Sequence, residues 1–554
     1  MATFTGTSGN DTLIGGDYGD SIDGLAGDDS INGGAGGDTL TGGLGNDSLF
    51  GGTGGDTFIG DAGNDTIDGG TVLDLSRLTD ANSVSYTNSP AAVTVNLAWG
   101  SAQDGWGGTD TLRNIVAVYG SIYSDQLTGS TAMVPEIFRG GLGNDTIDGG
   151  QITGAGFSVV NGSLSLGNGN IAFYTDSPAA VQVDLGLGSA TGGGGSDRLF
   201  NINGVYGSAF ADNLKGSDST TLAEVFGGQA GNDTIDGGAG FDFADYGNAS
   251  GAVNVNLTTG VASGGGSGTD TLLNIEAVLG SEYGDILTGN SGDNILWGGL
   301  RSDTLRGGGG DDALYGGEQR NLSWKAGQVF ASPDADIADY SDVTTGGIRL
   351  DLSTMKVTGG AQVGTDTLRG IEEVRGTYQS DVVVGSFAAI SGNNEAAGDQ
   401  HSLSLTLYGG SDTVTLTKVQ SMPWIDAPYM AYWWSKTGVS AVFTGSVGTI
   451  SYTASGTQAA GADTTDGVSG FSDSPYADRF DFSGMTSNFQ VGGRWNYVSL
   501  NQGGNDTIVG NGDTIINFSN STLLSTSGLG INVRLAAPGT TFTVDMTHLS
   551  RSAS

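Results

Sequence analysis

A nine-residue repeat is the feature that most constrains this chain. From Gly6 to Asp68 the sequence divides into seven consecutive nonapeptides in one phase: GTSGNDTLI, GGDYGDSID, GLAGDDSIN, GGAGGDTLT, GGLGNDSLF, GGTGGDTFI and GDAGNDTID. Each copy carries glycines early, an aspartate at the sixth place and an apolar residue at the eighth. Glycines permit tight turns, and the last three residues suit a short strand with one inward side chain. Such a period predicts a stacked repeat architecture.

Stacking would bring like charges together. If two nonapeptides form one coil, alternate copies share a sheet, and the apolar residues form two stacks: Leu13, Ile31, Leu49 and Ile67 in one, Ile22, Leu40 and Phe58 in the other. The aspartates then stack at a spacing of about 4.8 Å. A hard cation such as Ca²⁺ relieves their repulsion, because it accepts carboxylate and carbonyl oxygens in a flexible shell.

The pattern G-G-x-G-x-D-x-U-x resembles the RTX (hemolysin-type) calcium-binding nonapeptide. The resemblance implies an all-β, right-handed parallel β-roll or β-solenoid, with multiple Ca²⁺ ions held by backbone carbonyls and by aspartates two repeats apart. The ligands it implies in the N-terminal run are Asp11, Asp20, Asp29, Asp38, Asp47, Asp56 and Asp65. The implied pairs are Asp11 with Asp29, Asp20 with Asp38, Asp29 with Asp47, Asp38 with Asp56, and Asp47 with Asp65. Tyr18 departs from the pattern, since glycine usually holds its place.

A longer unit recurs beyond Gly70. Its first part places a tyrosine before a strand of alternating polarity, as in VSYTNSPAAVTVNLAWGSA, and its second part resembles GTDTLRNIVAVYGSIYSDQLTGS. Alternation at period two predicts strands with one buried face. We expect the longer units to add hairpins or extra strands at the edge of the solenoid, with no helix. The tyrosines Tyr86, Tyr174, Tyr246 and Tyr340 are predicted to be core residues with the hydroxyl at the rim.

Further acidic residues follow the same spacing. Nonapeptides between the longer units, and one late in the chain, supply the candidate ligands Asp145, Asp233, Asp242, Asp285, Asp303, Asp312 and Asp506, with Asn294 marking a weaker site. Four aspartates in the TDTL-like stretches are predicted to form turns, with a second class of calcium ligand as the alternative: Asp110, Asp197, Asp270 and Asp366. Five precede an apolar residue as in the nonapeptide and are also candidate ligands: Asp125, Asp212, Asp285, Asp381 and Asp478.

The organisation predicted from these repeats has five parts. An N-terminal roll covers residues 1–70, and four longer units interleaved with short nonapeptide sets cover 71–390. An aromatic-rich β insertion (391–465), a degenerate final unit (466–516) and a C-terminal cap with a type I secretion signal (517–554) follow. The last assignment comes from the family resemblance, because RTX proteins are typically exported by that route.

Composition excludes several partners. Lys and Arg total 19 against 60 Asp and Glu, a formal charge of −41, which disfavours nucleic acid and anionic membranes. The chain has no cysteine, and therefore no disulfide or zinc-thiolate site. The first residues show no secretory signal, and no apolar run approaches the roughly 20 residues of a membrane span.

Catalytic motifs are absent from the sequence. Only His401 and His548 are histidines, so no H-E-x-x-H zinc motif exists, and no G-x-S-x-G occurs. We therefore expect no enzyme. The alternative is a polysaccharide lyase or epimerase on the solenoid, although the five lysines lie scattered along the chain.

The stretch MPWIDAPYMAYWWSKTG is unusually aromatic. It is interpreted as a satellite core, with a sugar-binding platform or a subunit interface as alternatives. A cell-surface polysaccharide would then contact Trp424, Tyr432, Trp433 and Trp434. The sequence as a whole predicts a secreted calcium-binding structural protein, of a surface layer, an extracellular matrix or an adhesin, that folds on export and is capable of self-assembly.

Overall fold

The computed structural model describes residues 2–71, 81–131, 134–152, 169–317 and 335–386, and elsewhere Tyr408 and isolated strands. The chain divides into two compact units, Met1–Ser281 and Glu282–Ser554. The described residues form strands and turns, and none of them is helical, as expected. Within them, no helix is long and apolar enough to span a bilayer.

The nonapeptide strands alternate between two parallel sheets, as the repeat predicts. They are β1 (Thr3–Thr5), β2 (Thr12–Ile14), β3 (Ser21–Asp23), β4 (Ser30–Ala35), β5 (Thr39–Leu44), β6 (Ser48–Thr53), β7 (Thr57–Ala62) and β8 (Thr66–Asp68). Strand β4 pairs with β2 and β6, and β5 pairs with β3 and β7. The register is eighteen residues, with Ile31 opposite Leu49 and Ile22 opposite Leu40.

The core lies between the two sheets. Leu40 and Phe58 from one sheet are fully buried, as is Ile67 from the other. Full burial of such a side chain contributes about 1.5–3 kcal/mol. The first rung is the exception, because Leu13 is only half-buried. The apolar residues of successive nonapeptides therefore stack into a continuous core.

Glycines let successive turns approach closely. Gly52 has φ +112°, and a Cβ there would collide with the carbonyl oxygen of Gly34 in the preceding turn. Gly107 has a similar φ of +106°, but a Cβ there would meet nothing within 4 Å. A side chain at Gly107 would meet backbone strain alone, whereas a side chain at Gly52 would meet backbone strain and a steric collision.

We expect Gly52→Ala to destabilise the N-terminal roll more than Gly107→Ala. A left-handed alanine alone costs about 1–2 kcal/mol, which is the whole effect expected at Gly107. At Gly52 the collision should raise the loss to about 3 kcal/mol or more. Urea unfolding in calcium measures both. Equal losses for the two variants would show that the turns can separate at no cost.

The longer units add their strands within unit 1 in chain order. These are β9 (Ser83–Ser85), β10 (Thr94–Asn96), β11 (Ser101–Gln103), β12 (Thr109–Arg113), β13 (Ala117–Tyr119), β14 (Gln126–Thr128), β15 (Glu136–Arg139), β16 (Thr146–Asp148), β17 (Ser158–Val160), β18 (Ser163–Ser165), β19 (Asn170–Phe173), β20 (Val181–Asp184), β21 (Ser189–Gly192), β22 (Gly195–Phe200), β23 (Gly204–Tyr206), β24 (Asn213–Lys215), β25 (Val225–Gly227), β26 (Thr234–Asp236), β27 (Phe243–Asp245), β28 (Val253–Asn256), β29 (Val261–Gly264), β30 (Thr269–Leu273) and β31 (Ala277–Leu279).

Unit 2 continues the same organisation. Its strands are β32 (Ile286–Thr288), β33 (Ile295–Trp297), β34 (Thr304–Arg306), β35 (Ala313–Tyr315), β36 (Ile337–Asp339), β37 (Arg349–Asp351), β38 (Lys356–Thr358), β39 (Thr365–Arg369), β40 (Glu373–Arg375), β41 (Val382–Ser386), β42 (Ser404–Thr406), β43 (Thr413–Thr417), β44 (Tyr429–Ala431), β45 (Ser440–Ser446), β46 (Thr449–Ser455), β47 (Asp463–Thr465), β48 (Gly470–Ser472), β49 (Arg479–Met485), β50 (Tyr497–Ser499), β51 (Thr507–Val509), β52 (Leu523–Ser525), β53 (Asn532–Arg534) and β54 (Thr543–Asp545).

Each longer unit inserts an antiparallel three-stranded meander into an otherwise parallel sheet. In the first unit β10, β11 and β12 form the meander, while β12 pairs in parallel with β8 and β10 pairs in parallel with β14. The extra strands therefore lie inside the sheet, and the expectation that they lie at its edge is wrong. The meander can be inserted because three strands return the chain to its original direction, so parallel pairing resumes on both sides.

Candidate metal centres

The predicted aspartate pairs are neighbours in the structure. From Asp29 to Asp65 each aspartate of the repeat accepts, on Oδ1, a hydrogen bond from the backbone N–H of the aspartate one turn earlier. Asp11 donates to Asp29 at 2.7 Å, Asp29 to Asp47 at 2.7 Å, and Asp47 to Asp65 at 2.8 Å. Asp20 and Asp38 likewise donate to Asp38 and Asp56. Two ladders of carboxylates therefore run along the roll. We call each aspartate, or the polar residue in the equivalent place, a rung of its ladder.

The candidates beyond the N-terminal run form ladders of the same kind within each unit. Their Oδ1 atoms accept from the rung before: Asp145 from Asp125, Asp233 from Asp212, Asp242 from Glu224, Asp303 from Asp285, and Asp312 from Asn294. The candidates Asp478 and Asp506 lie outside the described residues, as do Trp424, Tyr432, Trp433 and Trp434.

The second carboxylate oxygen distinguishes the rungs. It is buried and has no hydrogen-bond donor at Asp29, Asp38, Asp47, Asp56, Asp65, Asp145, Asp233, Asp242 and Asp312. A Cβ placed on Gly33 would collide with Oδ2 of Asp38 and lie 2.8 Å from the Gly51 carbonyl oxygen. An anionic oxygen and a carbonyl oxygen thus converge on a space that only glycine leaves open.

This arrangement fits calcium. A buried charge without a partner costs several kcal/mol, so a native fold that repeats it supplies a counter-charge. Within the described residues no three acidic or histidine side chains converge, so carbonyl oxygens must complete each ligand shell. Carboxylate and carbonyl oxygens together are the ligands that Ca²⁺ prefers. When bound, the ion would neutralise the ladder and tie successive turns together.

The pKa values of the ladder aspartates also indicate that these buried carboxylates need a counter-charge. Burial, with the charge of neighbouring rungs, raises the pKa of Asp47 to about 6, of Asp56 to about 7 and of Asp65 to about 8. At the first rung, backbone N–H groups of Ala2 and Gly16 instead lower the pKa of Asp20. Without a cation, Asp65 would therefore hold a proton near neutral pH, Asp56 would be partly protonated and Asp47 would be mostly ionised.

The backbone differs between the rungs whose Oδ2 has no hydrogen-bond donor and the rungs whose Oδ2 has one. Where Oδ2 lacks a donor, the residue four positions earlier has positive φ: Leu25, Gly34, Gly43, Gly52, Asp61, Gly141, Gln229, Gly238 and Gly308. At Asp20, Asp125, Asp212 and Asp381 that residue instead donates its N–H to Oδ2, at 2.5–2.9 Å. Thr7 does the same for Asp11 at 2.5 Å. The left-handed residue therefore leaves the carboxylate open to a cation.

The four predicted tyrosines are core residues, as expected, but the turns and the rim position of their hydroxyls are not found. Asp110, Asp197, Asp270 and Asp366 lie in strands β12, β22, β30 and β39 rather than in turns, and all are buried. Their Oδ2 atoms accept from buried tyrosine hydroxyls, which do not lie at the rim. The bonds are Tyr86 to Asp110 at 2.9 Å, Tyr174 to Asp197 at 3.1 Å, Tyr246 to Asp270 at 3.0 Å and Tyr340 to Asp366 at 2.8 Å.

These Tyr–Asp pairs continue the ladder through the same backbone hydrogen bonds. Asp65 donates its N–H to Oδ1 of Asp110 at 3.0 Å, and Asp145 donates to Asp197 at 2.9 Å, as between nonapeptides. The hydroxyl supplies to Oδ2 the positive charge density that a cation would supply elsewhere. The alternative of a second class of calcium ligand is therefore disfavoured for these four aspartates.

We expect Tyr174→Phe to lower stability by about 1–3 kcal/mol, because it leaves the buried Asp197 oxygen without a donor. The loss should be similar at low and high calcium, since no ion is removed. Urea midpoints at several calcium concentrations measure it. Tyr18→Phe is the control, because Tyr18 is 77% exposed. A loss confined to high calcium would contradict the ion-independent role.

Sequence reasoning missed several rungs. Asp56 donates its N–H to Oδ1 of Asn82 at 2.9 Å, and Asp242 donates to Oε2 of Glu276 at 3.0 Å. In unit 2, Asp303 donates to Asp336 at 2.8 Å. A polar residue two places before a buried apolar residue marks such a rung in the sequence, as Asn82 does before Val84. The polar residue can be an aspartate, an asparagine or a glutamate.

Comparison with known families agrees with the geometry. The two parallel sheets and the carboxylate ladders are consistent with a β-roll that binds several Ca²⁺ ions. The family model of the RTX calcium-binding nonapeptide repeat matches residues 5–40, 41–72, 136–151, 228–244, 279–300 and 288–322. The chain therefore carries RTX calcium-binding nonapeptide repeats, in both units. A comparison with the curated proteins found no match.

Proposed function

We propose that this protein is a secreted structural component of a cell-surface layer, an extracellular matrix or an adhesin, which folds when it meets external calcium. The observation that carries the proposal is the repetition of unpartnered buried carboxylate oxygens, at nine rungs of the described residues. Such a fold is unstable where calcium is scarce and stable where it is abundant. RTX proteins are typically exported through type I secretion, and an unfolded acidic chain suits that passage.

In this proposal the β-roll itself performs the structural role and does not serve as the support of a catalytic site. No zinc-protease or lipase motif occurs in the sequence. Large apolar side chains at two equivalent hairpin tips, Trp99 (83% exposed) and Leu187 (79% exposed), favour contact with another surface. Their backbone N–H groups bond to Asn96 and Asp184, which fixes both tips in the same turn.

Assembly tests the proposal. Calcium added to the chelated full chain is expected to give sheets, filaments or large particles by light scattering and electron microscopy, and chelation should dissolve them. Magnesium at the same concentration is the control. The variant Trp99→Ser/Leu187→Ser should fold in calcium and assemble less. A protein that stays monomeric in calcium, and releases unsaturated products from an acidic polysaccharide, would contradict the structural role.

The partner proposed for the aromatic-rich segment is a cell-surface polysaccharide. Aromatic rings suit the apolar faces of sugars. Trp433→Ala/Trp434→Ala should weaken retention on immobilised polysaccharide in calcium, whereas Trp99→Ala should not. Unchanged retention of the double variant would exclude this segment as the sugar contact.

A further inference from the structure

Asp104 is a buried carboxylate that belongs to no nonapeptide. It begins the loop Asp104–Gly108, which joins β11 to β12, and its side chain is completely buried. Its Oδ1 accepts three backbone hydrogen bonds, from Trp106 at 2.9 Å, Gly107 at 2.9 Å and Gly108 at 2.8 Å. The loop therefore holds the carboxylate in one orientation.

The other oxygen of Asp104 faces an acceptor. Oδ2 is buried and has no hydrogen-bond donor. A Cβ on Gly108 would lie 2.7 Å from this oxygen and would collide with the carbonyl oxygen of Gly63. Two electron-rich oxygens therefore converge beside Gly108, and a cation between them would supply the counter-charge that a buried carboxylate needs.

The loop takes the place of the next nonapeptide turn. Thr109 donates its N–H to Oδ1 of Asn64 at 2.9 Å, as Asn64 does to Asn46 in the preceding turn. The Gly63 carbonyl belongs to the same turn as Asp65, whose Oδ2 also lacks a donor. A Cβ on Gly63 would lie 3.3 Å from Oδ1 of Asp65, so this carboxylate lies beside the turn that supplies the carbonyl.

The third longer unit lacks this arrangement. Its meander has the same pairing, with Ala262 opposite Asp270 as Ala102 is opposite Asp110. At the position of Asp104 it carries Gly264, whose carbonyl accepts the Ser267 hydroxyl at 2.7 Å. A loop of the same length therefore forms there without a carboxylate, although its backbone differs, since Gly264 has φ +101° and Asp104 does not adopt a positive φ.

We propose that Asp104 is a calcium ligand, which with the Gly63 carbonyl and the carboxylate of Asp65 binds one ion where the N-terminal roll meets the first meander. The site lies outside the nonapeptide pattern. It closes the row of ions with an acid supplied by a hairpin loop, and so links the roll to the longer unit. The inference rests on calcium binding by the neighbouring repeats, and it holds whatever the folded protein does.

Terbium provides the test, because it substitutes for calcium and is sensitised by a nearby tryptophan, here Trp106. In the full chain, Asp104→Asn and Trp106→Phe should each remove the same part of the tryptophan-sensitised emission, and the double variant should lose no more than either. Native mass spectrometry should find one calcium ion fewer in Asp104→Asn. Asp176→Asn, which removes a charge from an exposed residue, should change neither quantity.

A second variant, Asp104→Gly, keeps the test decisive if Asp104→Asn does not fold. Asp104→Gly reproduces the residue of the third unit, and it should fold in calcium with the same loss of one ion and of the emission. Unchanged emission and ion count in either Asp104 variant would overturn the proposal. Calcium-induced folding of the repeats should persist in every variant, which separates failure of this site from failure of the proposed function.

Discussion

Without calcium, the protein is expected to lose stability steadily as the pH rises from about 4 to about 8. Burial raises the pKa of Asp145, Asp233 and Asp312 to about 7, and of Asp242 to about 8, as it does for the inner rungs of the N-terminal roll. The same carboxyls start from an ordinary value of 3.8. Folding therefore binds protons across this range.

The sign follows from the direction of the shifts. A carboxyl whose folded pKa is raised stabilises the fold fully below its unfolded pKa, and this stability is lost as the pH rises through the folded pKa. Several rungs shift together, so the chelated protein should be folded near pH 4 to 5 and largely unfolded near pH 8. Calcium should reverse the trend, because the ion replaces the protons and binds the ionised carboxylates better.

Far-ultraviolet circular dichroism with urea, measured from about pH 4 to about pH 8 in chelator and in calcium, checks this. Magnesium at equal concentration controls for ionic strength. A chelated protein that is more stable at pH 8 than at pH 5 would show that the ladder carboxylates are ionised and compensated in some other way.

The second large effect is expected for Asp47→Asn. Asp47 accepts the N–H of Asp29 on Oδ1, and its Oδ2 has no donor. An amide removes a buried charge, so the variant should be more stable than the wild type in chelator at neutral pH. In calcium it should be less stable, with the calcium midpoint for folding raised about tenfold, equivalent to about 1.4 kcal/mol.

Asp110→Asn is the matched control for this change. Both aspartates belong to one ladder, and burial raises the pKa of each to about 6. They differ at Oδ2, where Asp110 accepts the Tyr86 hydroxyl. Asp110→Asn should therefore change stability by the same amount with and without calcium. If both variants raised the calcium midpoint equally, the distinction between ion rungs and tyrosine rungs would be wrong.

The period of nine residues was enough to predict the sheets of the N-terminal roll. Glycine, aspartate and an apolar residue at fixed offsets determine the turn, the rung and the core, so Leu49 could be placed against Ile31 and Ile67. The ladder also followed from the pattern, because stacked repeats must stack their aspartates.

The tyrosine rungs could not be predicted, because their partners are distant in sequence. Tyr86 and Asp110 are 24 residues apart, and they meet only because the meander returns the chain to the same sheet. A TDTL stretch alone is equally compatible with a turn. The position of the meander inside the sheet depends on pairing with strands on both sides, which alternation at period two does not encode.

The left-handed residues that precede the unpartnered carboxylates could not be predicted from the sequence either. Glycine at this position is suggestive, but Leu25 and Gln229 adopt φ of +71° and +70° there, which their residue types do not indicate. At Asp125 and Asp212 the serine four places earlier donates both its N–H and its hydroxyl to the carboxylate. That serine distinguishes these rungs, and it can be recognised in sequence once its role is known.

A crystal structure grown in calcium, with anomalous maps collected for the ion, tests the central claim most directly. Peaks are predicted beside the second carboxylate oxygen of the unpartnered rungs, including Asp47, Asp145 and Asp233, and none beside Asp110, Asp197, Asp270 or Asp366. Peaks at the tyrosine rungs, or unpartnered rungs without peaks in saturating calcium, would contradict the assignment of calcium to these oxygens.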